Sequence, residues 1–180
     1  VVANRGLCGG YNGNSLRMAR DLKATLEAEG KGVRLVASGK KALSWLKFAK
    51  IPYEGGYTQF EDKPAFAEVE KVGASLISMF LKGEVDRVDV IYTHYYSAGR
   101  QAPVVETLLP ITEGSESADE RGKGDTADAG KSTSGQIPNF VIEPDPKTIL
   151  DAIFPLQAKL HLYRVYLEAA TCEQIARRIA

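Results

Sequence analysis

The sequence has no apolar run near the roughly 18 to 20 residues needed to cross a bilayer, and no signal-peptide pattern. Any contact with a membrane would pass through protein partners. Cysteine is scarce: Cys8 and Cys172 stand far apart in no metal or redox spacing, which suits a reducing compartment and buried thiols. Charge of one sign is missing too. Lys and Arg number 23 and Asp and Glu 23, so no overall field draws the chain to nucleic acid or an anionic surface. His94 and His161 follow no HxxxH or HExxH spacing, and no G-x-S-x-G elbow or clustered carboxylate site assembles. No catalytic residue, cofactor site or metal site is expected. What remains, 44% hydrophobic and 26% charged over 180 residues, is the composition of one globular domain with room for a real core.

The first fourteen residues organise the rest. Val1-Val2-Ala3 reads as a strand that enters a turn carrying Gly6, Gly9, Gly10 and Gly13, and helical spacing begins directly afterwards. Such a turn can cradle phosphate or form a tight packing corner. The dinucleotide fingerprint G-x-G-x-x-G is absent, and no acidic residue closes the next strand, so packing is the better reading. Leu16, Ala19, Leu22 and Leu26 then mark a helix capped by Asn12 or Asn14. Val33–Ala37 reads as a strand buried on both faces, Gly39 opens a second helix, and residues 53–63 read as a loop or short edge segment. Pro64 to Lys82 makes a third helix. Val88–Thr93, Val104–Leu109 and Phe140–Ile142 complete five strands. The expected fold class is α/β: a Rossmann-like, mostly parallel five-stranded sheet with flanking helices, followed by a long, truncated coiled-coil helix.

Residues 112–136 contain nothing apolar larger than alanine and read as a flexible polar insertion. Within it, Ala129-Gly130-Lys131-Ser132-Thr133 imitates the end of a phosphate-binding loop, but Asp125 stands where its first glycine belongs. From Ile149, apolar or small residues recur at Ile153, Leu156, Leu160, Tyr163, Leu167 and Ala170, in 4-3 spacing. Pro155 interrupts the pattern, which predicts a kink or a new helix start there. The domain division follows: 1–146 as the α/β unit and 147–180 as the beginning of a coiled-coil helix. The chain starts on a residue that already reads as strand and is expected to be an excised piece.

Several stretches in order resemble one family. Arg5-Gly6-Leu7-Cys8-Gly9-Gly10-Tyr11-Asn12-Gly13-Asn14 is similar to the start of the globular domain of the gamma subunit of F-type ATP synthase. Ser97-Ala98-Gly99-Arg100-Gln101 with Glu106-Thr107-Leu108-Leu109-Pro110, then Ile142-Glu143-Pro144-Asp145-Pro146-Lys147, then Leu167-Glu168-Ala169-Ala170 with Glu173-Gln174-Ile175-Ala176-Arg177-Arg178, resemble later segments of the same family.

That resemblance implies a non-catalytic rotor shaft. Its partners would be the alpha and beta subunits, the epsilon subunit and the c ring, on the cytoplasmic face of a bacterial plasma membrane or in an organellar inner-membrane complex. It also implies that an N-terminal coiled-coil helix is absent from this chain. Glu143, Asp145 and Lys147 would form the rotor-foot contact. Leu156, Leu160, Tyr163 and Leu167 would pack against the partner helix, and Arg5, Gly6, Cys8, Gly9, Gly10 and Asn12 would shape the corner. The chloroplast version carries two regulatory cysteines in its insertion. Residues 112–136 have none, which argues against thiol control. Two rivals remain: a small nucleotide-binding enzyme built on the Gly6–Gly13 turn, and a self-dimerising coiled-coil module.

Overall fold

Strand and helix alternate along the chain as the hydrophobic spacing requires. The computed structural model describes residues 1–60, 63–111 and 146–180. In order, α1 spans Tyr11–Ala28, β1 Val36–Ser38, α2 Lys40–Phe48, β2 Gly55–Tyr57 and α3 Phe66–Leu81. A long hairpin follows, β3 (Val88–Ser97) with β4 (Arg100–Leu109), and α4 runs over Pro146–Ile179. The fifth expected strand, the insertion at 112–136 and the phosphate-loop mimic within it all lie outside the described residues.

The sheet corrects the expectation. Among the described residues there are two two-stranded sheets, not one five-stranded Rossmann-like sheet. β1 and β2 pair in parallel, with Ala37 opposite Gly56, and β3 and β4 pair antiparallel, with Ile91 opposite Val105. The opening residues run between the two ladders. The Val1 nitrogen donates to the Ile91 carbonyl at 2.6 Å and the Val2 N–H to the Ser38 carbonyl at 2.9 Å. These bonds bridge the sheets without extending either ladder. β1 is shorter than expected, Val36–Ser38: Ala37 and Ser38, which point to opposite faces, are both buried, while Val36 at its start is exposed.

Burial follows from the same placement. The largest apolar cluster joins Val69 and Val72 of α3, Val90 and Tyr92 of β3, Leu108 and Leu109 of β4, and Ala158, Leu162, Val165 and Tyr166 of α4. A second unites Val2, Leu16, Ala37, Ala42 and Leu46, and a third Ala3, Cys8, Tyr11 and Cys172. Val1 packs against the first, Val2 belongs to the second and Ala3 to the third, so three consecutive residues touch every core. Gly39 makes that crossing possible. Its φ is +106°, and a Cβ there would lie 2.2 Å from the Val2 carbonyl oxygen. At Pro155 the terminal helix does not restart: α4 runs as one helix over Pro146–Ile179.

Candidate functional site: the glycine corner and the two-faced terminal helix

The corner is built around Asn12. Its Oδ1 accepts from the Ala3 N–H at 2.9 Å, and its Nδ2 donates to the Arg5 carbonyl at 3.3 Å and approaches Cys8 Sγ at 3.1 Å. Asn12 therefore staples the turn and does not cap α1, whose N-terminal position is held by Gly10 without a side-chain cap. Leu7 (φ +59°) and Gly9 (φ +51°) adopt left-handed backbone on either side of buried Cys8. Leu7, an apolar side chain, is left 90% exposed. Arg5 is exposed, and Gly6 lies beside the Lys41 side chain.

Inward, the corner is committed to α4. The Tyr11 hydroxyl donates to the Ala169 carbonyl at 2.9 Å, and Cys8 and Tyr11 share a core with Cys172. Burial, with Glu173 nearby, pushes the Tyr11 phenol far above its ordinary value, so it remains a donor. Burial likewise raises the Cys172 thiol to about 11, which makes a poor thiolate nucleophile.

A polar cluster lies where α4 crosses the hairpin, and sequence reasoning did not find it. Glu106 on β4 is only 9% exposed. Its Oε2 accepts from the Tyr92 hydroxyl at 2.7 Å, while Oε1 lies 3.0 Å from His161 Nε2 and 3.8 Å from Arg164 Nη2. Glu168 on α4 reaches back to β3, with Oε2 2.7 Å from His94 Nδ1, and its Oε1 is 3.4 Å from Arg164 Nε. Burial acts to raise the Glu106 carboxyl, but the contacts from His161, Tyr92 and Arg164 outweigh it and hold the group below the usual range. The Tyr92 phenol moves far upward, through burial and then Glu106. Glu106 Oε1, His161 Nε2 and Glu168 Oε2 nonetheless make no well-directed hydrogen bond. The contacts are close in charge and loose in angle. The signal was in the spacing: Tyr92 and His94 share a strand face at period two, and His161, Arg164 and Glu168 follow a helix face.

The two faces of α4 separate the expected coiled-coil residues. Ala158, Leu162, Val165, Ala169 and Cys172 form the docked face, with Leu162 only 2% exposed. Leu156, Leu160 and Leu167 point away and are 49%, 50% and 40% exposed. Tyr163 does not belong with them. Its ring is half-buried against α3, edge-on to Phe66 at 5.4 Å. Of the expected rotor-foot residues, Glu143 and Asp145 lie outside the described residues, and Lys147 falls in the first turn of α4 with its side chain undescribed.

The family model described as ATP synthase matches residues 1–180. An ATP synthase gamma chain from Leptospira biflexa is 39% identical over 180 residues, covering 100% of this chain and 57% of the relative. One from Rhodopirellula baltica is 38% identical over 181 residues, covering 100% and 58%. The chain thus spans less than two thirds of the curated relatives it matches. Among solved structures, the central stalk and c-ring of Tetrahymena thermophila mitochondrial ATP synthase aligns with TM-score 0.69 at 17% identity, over 98% of this chain and 70% of that one. The Euglena gracilis mitochondrial ATP synthase rotor aligns with TM-score 0.60 at 22% identity, over 99% and 62%. These structural likenesses establish a shared fold. Matched from the glycine corner to the end of α4, the chain belongs to the ATP synthase family.

Proposed function

We propose that the chain is the globular part, with the first turns of the terminal helix, of a gamma subunit acting as the central stalk of an F-type ATP synthase. It is non-catalytic. It couples ion-driven rotation of a c ring to ATP synthesis or hydrolysis in alpha and beta subunits, with an epsilon subunit beside its foot. The setting is peripheral, on the cytoplasmic face of a bacterial plasma membrane; both relatives described above are bacterial gamma chains. In this reading residues 1–146 form the foot, 147–180 begin the shaft, and Glu143, Asp145 and Lys147 meet the polar loops of the c ring. The small nucleotide-binding enzyme is not favoured, since the relatives are gamma chains and the corner's inward side chains are engaged with α4.

The observation that carries the reading is the open face of α4. A helix of 34 residues is about 51 Å long at 1.5 Å per residue. It docks one face on its own domain and presents Leu156, Leu160 and Leu167 on the other. Leucines at coiled-coil spacing beside a complete core fit a second helix of the same subunit. The test is reconstitution: the chain, extended by its native terminal helices, is mixed with alpha and beta subunits and assayed for assembly and ATPase. A stoichiometric complex whose ATPase depends on the chain supports the shaft. No complex, with saturable nucleotide binding by the chain alone, sinks it.

A further inference from the structure

We propose that Tyr92, His94, Glu106, His161, Arg164 and Glu168 form a registration lock, which sets how far α4 can slide and roll on the β3–β4 hairpin. The apolar contact cannot set this alone. Its α4 side is the repeating stripe Ala158, Leu162, Val165, Ala169 and Cys172, mostly small side chains in 4-3 spacing. A repeating stripe fits its partner nearly as well after a shift along its own period, because dispersion and burial are non-directional. The polar cluster does not repeat. Each carboxylate takes a cation-capable group from the other element: Glu106 of β4 meets His161 and Arg164 of α4, and Glu168 of α4 meets His94 of β3. Arg164 stands between the two carboxylates, and the Tyr92 hydroxyl fixes the second oxygen of Glu106. The attachment is reciprocal, so sliding in either direction breaks it.

A slip of one turn, about 5.4 Å or 3.6 residues, brings Gln157 and Ala158, or Arg164 and Val165, to the place of His161. In the first case Glu106 loses its close contact with His161; in the second Glu168 moves with Arg164 toward Glu106, which sets two carboxylates together and takes Glu168 away from His94. The loose angles matter here. Glu106 Oε1, His161 Nε2 and Glu168 Oε2 sit in close contact without a well-directed hydrogen bond, so the cluster is poorly built for stability as such. A polar cluster built on buried Tyr92 and Glu106, with half-buried His94, His161 and Glu168 around them, is more readily explained by the alternatives it forbids than by the energy it adds. The lock does not depend on the rotor reading. If that reading holds, this is where torsion on α4 would pass into the globular fold.

The test separates register from stability. Spin labels at Gly99→Cys in the hairpin turn and Thr171→Cys on the open face of α4, both exposed, report the distance between the two elements. The full chain carries them with Cys8→Ala and Cys172→Ala to remove background labelling. This parent should give one narrow distance. Replacing Glu106, His161 and Glu168 together by Leu should leave the urea midpoint equal or higher, yet broaden the distribution or add a second population about 5 Å away. A single narrow distance at the parent position in that folded variant overturns the lock. Should the leucine variant fail to fold, the pair Glu106→Gln with Glu168→Gln carries the same reading. Its volume is conserved and only the charges are lost; broadening supports the lock and an unchanged narrow distance overturns it. No ATPase enters this readout, so a failed reconstitution and a failed lock remain distinguishable.

Discussion

α4 carries two stripes of identical spacing and opposite fate. Residues 158, 162, 165, 169 and 172 step by 4-3-4-3, and so do 156, 160, 163, 167 and 170. The first is buried, Ala158, Leu162 and Val165 with α3 and the hairpin and Cys172 with the glycine corner, and its members are Ala, Leu, Val, Ala and Cys. The second keeps three leucines in solvent. Side-chain size separates them. Small residues let the helix axis approach its own domain closely, while large ones standing clear of it fit a partner that fills the space between. Periodicity therefore reveals that a face exists; size indicates whether the face is filled from within the domain or from outside it.

The largest expected effect lies on the docked face. Leu162→Ala removes a side chain from the centre of the main cluster and should cost about 2 to 5 kcal/mol by urea unfolding. A cost below about 0.5 kcal/mol, the scale of a surface change, would erase the distinction between the faces. The docked face is also held at its far end by the corner. Tyr11→Phe removes the hydroxyl that donates to Ala169 while keeping the buried ring, and should cost about 1 kcal/mol. An unchanged midpoint would mean that packing alone joins the corner to α4.

A pH dependence follows from Glu106. Its folded carboxyl lies below the ordinary value of 4.5, because His161, Tyr92 and Arg164 outweigh burial. A group lowered in the folded state contributes stability that is present above its unfolded value and lost as pH falls below it. The urea midpoint should therefore decline as pH drops below 4.5, and Glu106→Gln should flatten that decline. A slope equal in the variant and the parent would assign the acid response to other carboxylates.

How much of this was legible depended on whether a signal was local. Helices α1, α2, α3 and α4 each carry their own apolar spacing, and all four appear near their expected bounds. The hairpin strands did too, but their pairing did not, since alternation along one strand says nothing of which edge it meets. Val1-Val2-Ala3 has strand character and still joins no ladder. It meets Ile91 on one side and Ser38 and Lys41 on the other through isolated backbone bonds, which depend on how β1 and β3 are placed in space. The corner was readable from its glycines, but Asn12 was misread as a cap because its true partners, Ala3 and Arg5, lie in the turn before the helix. The polar cluster was lost because its members come from three elements and are spread over the chain from Tyr92 to Glu168. Each histidine looked solitary until the helix was laid across the hairpin. The docked stripe of α4 was overlooked because Ala158 and Ala169 are weak hydrophobic signals beside Leu156 and Leu160.

The smallest effect on the chain itself belongs to the open face, and it gives the sharpest test of the comparison. Leu160 is half exposed, so Leu160→Ala gives up little burial and should shift the unfolding free energy by no more than about 0.5 kcal/mol. The same holds for Leu156 and Leu167. If these leucines await a second helix, the ranking must invert once that helix is supplied. In the extended chain Leu160→Ala should then cost about 2 to 5 kcal/mol, as a filled core position does, and Leu160→Asp should prevent assembly with alpha and beta subunits. Melting curves of the short and extended chains, each with and without the substitution, make the comparison directly. A Leu160 effect that stays small in the extended chain would mean that the open face receives no helix, and that its leucines have no part in the shaft.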